Sequence, residues 1–293
     1  MHSLMTAMRE ARFDAYAATF QGHPGEVIEV LRGECPGFEF EAYKSGKQGY
    51  RQAWRLGNGE DTALLLANSA QRPNDVHLSV QGSWSHHLAD FIREVKPDHR
   101  VSRVDACIDF DQAGAFDALH GLARNLAEQH RVKTSCSGDW EGLVDGRTYY
   151  IGAPTSVART RIYEKGCQLR KVDPAASPDL VRLETQVRPQ KDGKVLAAQA
   201  TPMGILAGSI VSRELLNHIN GAGLDPVAYG NRRKPPSASG VRLSWLSRQY
   251  GSLILNELLP AVGGSISDLA DLLLAQCADP ENPRVLEDFT ARL

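Results

Sequence analysis

The feature that most constrains how this chain folds is the strict alternation of apolar and polar side chains in residues 103–111. The even positions of this segment are Val, Ala, Ile and Phe, and the odd positions are Arg, Asp, Cys, Asp and Asp. Because successive side chains of a β-strand point to opposite faces of a sheet, the pattern predicts a strand with one apolar face and one polar face. The polar face would carry Asp105, Asp109 and Asp111.

Two further segments, residues 181–188 and 159–165, show the same alternation. In the first, Val181, Leu183 and Val187 face a core and the opposite side carries Arg182, Glu184, Gln186 and Arg188; in the second, Ile162 is turned away from a polar set of four residues. If the three strands lie in one sheet with their polar faces aligned, these side chains make one concave polar surface. Besides the aspartates, that surface would carry Glu184, Arg159, Arg161, Tyr163 and Lys165.

Short segments of β-strand character, separated by turn residues, alternate with stretches of helical periodicity along the chain. Strands are predicted at residues 13–20, 38–44, 50–56, 62–68, 76–81 and 101–111, and near residues 132, 148, 160 and 183. Helices are predicted at residues 24–32, 83–95, 115–129, 204–219, 243–259, 266–277 and 285–293. A unit of strands followed by a helix occurs twice, which indicates two similar halves.

The sequence therefore predicts an α+β fold with a largely antiparallel curved sheet or sheets, flanking helices and a small C-terminal helical region. A linker is predicted between Asn220 and Gly240, where Gly, Pro, Ser and basic residues are frequent. We expect a catalytic α+β domain at residues 1–220 and a helical region at residues 241–293.

Charge is distributed unevenly along the chain. The 293 residues are 42% hydrophobic, which allows a substantial core, and their formal net charge is −2. Residues 161–250, however, contain fourteen Lys or Arg and only seven Asp or Glu. A basic surface of this kind indicates a polyanionic partner such as nucleic acid, although an ordinary solvated surface explains the charge count equally well.

The five cysteines are an odd number and contain no C-x-x-C pair, so the sequence predicts neither a disulfide framework nor a zinc ribbon. The apolar runs are short, and no secretory signal pattern opens the chain. These features predict a cytoplasmic protein with no membrane partner.

The predicted polar surface has a possible chemical use. Asp105, Glu184 and either Asp109 or Asp111 would supply hard oxygen ligands to Mg²⁺ or Mn²⁺. Tyr163 could then attack a phosphodiester polarised by the metal. Lys165 or Arg161 would favour the phenolate and the developing negative charge.

Each element of this surface also has a purely structural explanation. Strands with alternating Arg and Asp are common on solvated sheet faces, where the charges form ion pairs. Tyrosine is frequent in strands and usually packs, and Tyr149 and Tyr150 compete with Tyr163 as nucleophile candidates. The agreement of three polar faces is stronger than any one of them.

Several stretches of the chain, in this order, resemble the replication initiation factor family, also called the Rep-trans family. That family includes initiators of rolling-circle plasmids and of some filamentous phages, and relaxases of certain integrative conjugative elements. The resemblance covers about residues 10–220. The stretches are residues 77–82, 103–109, 148–152 followed by Ser156, 161–165 and 182–184.

The resemblance implies nicking of one DNA strand through a 5′-phosphotyrosine link, with a divalent metal, by a protein that often acts as a dimer. Tyr163 corresponds to the nucleophile, and Asp105 and Glu184 correspond to acidic metal-binding positions. The third ligand stays open between Asp109 and Asp111. No spaced pair of histidines is present in a metal motif, which agrees with the carboxylate-only site of this family.

The expected function is thus initiation of rolling-circle DNA replication. The expected partners are double-stranded origin DNA with a locally melted or hairpin nick site and, further, a host helicase. One alternative is a relaxase of an integrative conjugative element with the same chemistry. Another is a sequence-specific DNA-binding protein whose carboxylates are structural and whose tyrosine never reacts.

Overall fold

The computed structural model describes residues 8–57, 62–141, 145–221, 223–230, 246–247 and 249–277. The chain divides into two compact units, residues 1–231 and residues 232–293. In the described part of the chain, no helix is both long and apolar enough to cross a membrane.

The first unit is built around one open antiparallel sheet, which has ten strands in the described residues. Its spatial order is β2-β3-β4-β5-β1-β6-β10-β9-β8-β7. The strands are β1 (Arg12–Gln21), β2 (Glu39–Ala42), β3 (Tyr50–Gly57), β4 (Thr62–Ser69), β5 (Asp75–Gln81), β6 (Arg100–Asp111), β7 (Thr134–Gly138), β8 (Arg147–Ile151), β9 (Ala158–Tyr163) and β10 (Leu180–Val187).

Helices flank this sheet and complete its core. They are α1 (Pro24–Glu34), α2 (Ser85–Val95), α3 (Ala115–Gln129), α4 (Lys165–Leu169), α5 (Gly193–Gln199), α6 (Pro202–Leu206) and α7 (Ile210–Asn220). The apolar positions of β6 belong to the main core, and Val104, Ile108 and Phe110 are completely buried there. The predicted α+β class and the antiparallel sheet are confirmed.

The strand order is symmetric about the pair β1 and β6 in the middle of the sheet. On one side, β1 is followed by a helix and by four strands that return to pair with β1 through β5. On the other side, β6 is followed by a helix and by four strands that return to pair with β6 through β10. The two halves inferred from the sequence thus share one topology.

The region after β10 differs from the single predicted helix at 204–219. Three short helices occupy it, and the break between α6 and α7 includes Gly208. A Cβ atom at Gly208 would lie 2.8 Å from the Tyr229 ring, so the close approach of this aromatic ring requires glycine. Periodicity alone does not show such a tertiary contact.

In the second unit the described residues are mainly helical. They include a π-helical turn at Ile254–Leu258, followed by α8 (Leu259–Ala261) and α9 (Ile266–Cys277). This agrees with the predicted small helical region. The predicted helix at residues 285–293 and most of the predicted linker lie outside the described residues.

Candidate active site on the polar face of the sheet

Strands β6, β10 and β9 lie side by side, and their register aligns the three polar faces that the sequence predicts. Residues directly opposite one another on antiparallel strands project to the same face. We call the resulting surface the polar face. From one end to the other, its three rows are Asp109, Arg182 and Tyr163; then Cys107, Glu184 and Arg161; then Asp105, Gln186 and Arg159.

Tyr163 ends strand β9 and points to the polar face, as predicted. Its hydroxyl donates a hydrogen bond of 3.1 Å to Oε2 of Glu184. The guanidinium carbon of Arg161 lies 4.8 Å from the centroid of its ring. Only 8% of the residue is exposed, and this burial, together with the charge of Glu184, raises the pKa of the phenol above its usual value.

Glu184 is the acceptor in this cluster and is 1% exposed. Its two carboxylate oxygens accept hydrogen bonds of 2.7 and 2.8 Å from Nη2 of Arg161. Burial raises the pKa of Glu184, and the neighbouring Arg161 charge opposes that rise only in part. A carboxylate with a raised pKa is a better proton acceptor, so the pair Tyr163 and Glu184 is suited to proton transfer.

The row beside Tyr163 is a buried ion cluster. Arg182 donates hydrogen bonds to both oxygens of Asp109, at 2.6 and 3.0 Å, and to Asp14 at 2.7 Å. Arg12 donates a further hydrogen bond of 2.6 Å to Asp109. Burial alone would raise the pKa of Asp109, but the hydrogen bonds and charges of Arg182 and Arg12 lower it below its usual value.

Asp105 lies at the opposite end of the polar face and is 1% exposed. Arg103 on the same strand donates two hydrogen bonds to its carboxylate, at 3.0 and 2.5 Å. Gln186, directly opposite on β10, donates a third at 3.1 Å. The carboxylate is therefore paired within the sheet and does not point to Tyr163.

The predicted metal ligands do not form one ligand set. Asp105 and Asp109 are four positions apart on one strand, which places their Cα atoms roughly 13 Å apart. Glu184 lies between them, and each of the three carboxylates has an arginine partner. Within the described ranges, no group of three or more His, Cys, Asp or Glu could hold a metal ion. The divalent metal stays a prediction.

Asp111, the other candidate third ligand, lies at the end of β6. Its carboxylate accepts hydrogen bonds of 2.6 Å from Ser177 and from Arg9. These hydrogen bonds hold the Asp111 carboxylate at the end of β6. Glu184 lies further along the sheet, opposite Cys107 in the register of β6 and β10.

Lys165 does not continue strand β9, contrary to the predicted alternation. The strand ends at Tyr163, and Lys165 begins helix α4. Its ammonium group donates a hydrogen bond of 3.0 Å to Gln168. Burial and the charge of Arg182 lower the pKa of Lys165, while Asp14, Asp109 and Glu184 oppose this. Lys165 therefore lies in the electric field of the cluster even though its backbone has left the sheet.

The structure separates the competing tyrosines. Tyr149 is 4% exposed and belongs to the apolar core, with its ring centroid 4.6 Å from that of His120. Tyr150 lies beside Arg161 in the register of β8 and β9, on the polar face, and Arg159 stacks on its ring. Neither tyrosine contacts Glu184 by a hydrogen bond within the described part of the chain.

Two residues of this site were not singled out from the sequence as chemistry-bearing groups. Arg182 resembles an ordinary charged residue of a solvated sheet face in the sequence, but in the structure it is 5% exposed and forms ion pairs with Asp109 and Asp14. Asp14 lies on β1, where the register shifts between Phe13 and Ala15. An irregularity of this kind breaks the two-residue period, so alternation could not assign Asp14 to the polar face.

No protein-family model and no curated protein matches this sequence. Among solved structures, a rolling circle replication initiator protein from Geobacillus stearothermophilus is similar over 71% of this chain and 80% of that chain. The two chains are 22% identical, and the TM-score is 0.46. A likeness of this extent decides neither the fold nor the function of this chain.

Proposed function

We propose that this chain cuts one strand of DNA with Tyr163 and becomes joined to it, as an initiator of rolling-circle replication would. The observation that carries the proposal is the cluster of Tyr163, Glu184 and Arg161 on the polar face. A phenol bonded to a buried carboxylate, with a guanidinium beside both, combines a nucleophile, a proton acceptor and a cation.

The reaction assigned to this cluster is a transesterification. Oη of Tyr163 attacks the phosphorus of a phosphodiester, and Glu184 accepts the phenol proton. The bond between phosphorus and the 3′ oxygen breaks, and that oxygen takes a proton from Lys165, whose pKa is lowered toward the range of a useful acid. The products are a 5′-phosphotyrosine and a free 3′ hydroxyl that a polymerase can extend.

Cations of the polar face support this reaction. Arg161 contacts both Glu184 and the Tyr163 ring, so it can stabilise negative charge that develops on the phenol oxygen or the phosphate. Arg182, in the same row as Tyr163, neutralises Asp109 and Asp14. Without it these aspartates would repel a DNA phosphate.

Access to Tyr163 is through an open cleft. A cavity of about 290 Å³ adjoins Tyr163, Arg161, Arg147, Gln168 and Lys171 at the edge of the site. Arg161, Arg147, Gln168 and Lys171 carry nitrogen donors of the kind that bind phosphate. Arg147 and Lys171 are paired with the carboxylates of Glu164 and Asp145, which also line the cavity.

Origin DNA with a melted or hairpin nick site, a homodimer and recruitment of a host helicase belong to this proposal. A divalent metal held by Asp105, Glu184 and either Asp109 or Asp111 also belongs to it, although the described carboxylates do not make a ligand set. A conjugative relaxase would use the same step, and the DNA site that is cut separates the two biological roles.

A second candidate function is DNA binding without cleavage. The 8% exposure of Tyr163 and the pairing of each carboxylate with an arginine favour it, because such contacts are those of a packed structural site. In that case the same face would bind DNA, and no covalent product would form.

A covalent-adduct assay on supercoiled DNA that carries the candidate origin distinguishes the two. We expect a protein–DNA adduct and nicked circles with the parent protein, and a loss of adduct of at least about 100-fold with Tyr163→Phe. The matched control is Tyr149→Phe, which removes a hydroxyl from the neighbouring strand β8 on the opposite face of the sheet. Equal adduct yield from Tyr163→Phe would refute the nucleophile.

A further inference from the structure

The polar face contains a second feature that the tyrosine chemistry does not use. We propose that Arg159, supported by Tyr150, binds a backbone phosphate of single-stranded DNA a few nucleotides from the phosphate that Tyr163 attacks. The inference rests on the proposed function for the position of the strand, but the site itself stands on separate residues.

The site is a small cleft with a volume of about 70 Å³. It lies on the polar face, at the end of β9 that is away from Tyr163. Its lining includes Arg103, Tyr150, Arg159, Arg161, Glu184 and Gln186.

Of the three arginines that line this cleft, Arg159 is the one without an acidic partner among the described residues. Arg103 is paired with Asp105 and Arg161 with Glu184, in both cases through short hydrogen bonds. Arg159 has no carboxylate within ion-pair distance in the ranges that the structure describes. An added phosphate would therefore compensate a charge that the protein leaves open.

Arg159 also has an unmet hydrogen-bond donor. Its Nε atom is buried and has no hydrogen-bond partner among the described residues. A buried N–H group without a partner costs free energy, because it has lost its water and gained nothing in exchange. The terminal nitrogens of the same guanidinium are not buried in this way, and they are the donors that a phosphate oxygen in the cleft would meet.

Tyr150 holds this arginine in place. The guanidinium carbon of Arg159 lies 4.1 Å from the centroid of the Tyr150 ring, so the planar group rests on the aromatic face. This contact reduces the freedom of a long side chain before any ligand arrives. The site is therefore prepared for a planar, two-point contact with an anion.

The distance of the cleft from Tyr163 indicates which phosphate of the DNA substrate it would bind. Arg159 and Tyr163 are four residues apart on the same face of β9, which corresponds to roughly 13 Å. A strand that crosses the polar face along β9 would place one phosphate at Tyr163 and a later one at Arg159. The acidic groups nearest this path, Glu184 in the row between them and Asp105 in the row of Arg159, are paired with Arg161 and Arg103.

The test measures DNA binding in the Tyr163→Phe background, where no cleavage can occur. The probe is a fluorescein-labelled oligothymidylate, and its affinity is measured by anisotropy over a series of salt concentrations. Arg159→Gln should weaken binding about 10-fold and lower the slope of log K against log salt by about 0.7, the value for one phosphate contact on a single strand.

Two further variants separate the roles of charge and stacking. Arg159→Lys should keep the salt slope and lose part of the affinity, because it retains a cation without the planar fork. Tyr150→Leu should weaken binding with the slope unchanged, because no charge is removed. Both results are read against the thermal melting temperature of each variant, which should match that of the parent.

The matched control is Arg124→Gln, which removes one exposed positive charge from helix α3. It should leave both affinity and slope at the parent values. If Arg124→Gln lowers the slope as much as Arg159→Gln, or if Arg159→Gln leaves the slope unchanged, the phosphate site is overturned.

Inorganic phosphate is the second probe and separates the sources of the anion. In one outcome, phosphate raises the melting temperature of the parent but not of Arg159→Gln, while Arg159→Gln leaves the salt slope of DNA binding unchanged. That pair of results would mean that the site binds a free anion and not DNA. Failure of Tyr163 to form an adduct leaves this experiment intact, since binding is measured without cleavage. The two proposals can therefore fail separately.

Discussion

At the scale of single residues, the site consists of three ionisable groups that lie next to one another, and two of them, Tyr163 and Glu184, are buried. Tyr163, Glu184 and Arg161 are close enough that the charge of Glu184 raises the pKa of Tyr163 and the charge of Arg161 lowers the pKa of both acidic groups. Burial disfavours both charged forms of the acidic pair, the phenolate and the carboxylate. The positive charge of Arg161 stabilises a negative charge at this buried position.

Glu184→Gln tests the proton acceptor. Because burial raises the pKa of Glu184, adduct formation by the parent should rise with pH as that carboxyl loses its proton, and fall again at higher pH as Lys165 loses the proton that it donates. The amide cannot accept the proton, so the variant should be slower by about 100-fold or more and lack this rise. Initial rates of adduct formation across a pH series measure both effects. A variant with the parent rate and profile would exclude Glu184 as the base.

Asp109→Asn tests the buried ion cluster. The change leaves Arg182 without its main partner, and breaking a buried pair from one side costs about 3–5 kcal/mol of unfolding free energy. The pKa of Asp109 is lowered in the folded protein, so its contribution is present above the unfolded carboxyl value of about 3.9 and is lost as pH falls below it. Urea unfolding at neutral and acidic pH should show the gap between variant and parent shrinking in acid. A constant gap would contradict this assignment.

At the scale of elements, the turn after β9 decides where the site ends. Helix α4 follows Tyr163 and begins at Lys165, and it packs against the segment that leads into β10. A Cβ atom at Gly166 would lie 2.2 Å from the backbone oxygen of Ser177. The close approach of two backbones thus fixes Lys165 beside the cluster.

Gly166→Ala should therefore destabilise the protein by about 2 kcal/mol or more, because a backbone oxygen cannot rotate out of the way. The matched control is Gly121→Ala in helix α3, where an added Cβ meets nothing within 4 Å. That change should stabilise the protein by about 0.5–1 kcal/mol through helix propensity. Thermal unfolding of both variants measures the contrast, and similar effects in the two would refute the packing argument.

At the scale of the whole molecule, the sheet and its flanking helices belong to one unit and the C-terminal helices to another. The buried side chains of the polar face all come from the first unit. A chain ended after Asn231 should consequently keep a cooperative thermal transition, with a midpoint within a few degrees of the parent. Calorimetry of the two chains checks this. A truncated chain without a transition would show that the first unit needs residues 232–293 to fold.

Much of the fold and part of the site could be predicted because the two-residue period of a strand is a local property. Alternation alone assigned Glu184, Asp105, Arg161 and Tyr163 to polar strand faces, and the structure brings these faces together. It also predicted most strand positions and the repeated halves. The sequence could not show that strand β9 stops at Tyr163, because the close packing at Gly166 involves the backbone of Ser177 and Pro178, a contact that the two-residue period of a strand does not report.

The sequence by itself determined which side chains share a face, since neighbouring residues on a strand must point in opposite directions. Only the tertiary structure decided which of them meet. Strand order places β10 between β6 and β9, so Glu184 contacts Tyr163 while Asp105 and Asp109 are held apart at separate rows. Arginines pair with these carboxylates, from the neighbouring strand for Glu184 and Asp109 and from the same strand for Asp105, because a buried charge is stable only beside an opposite one.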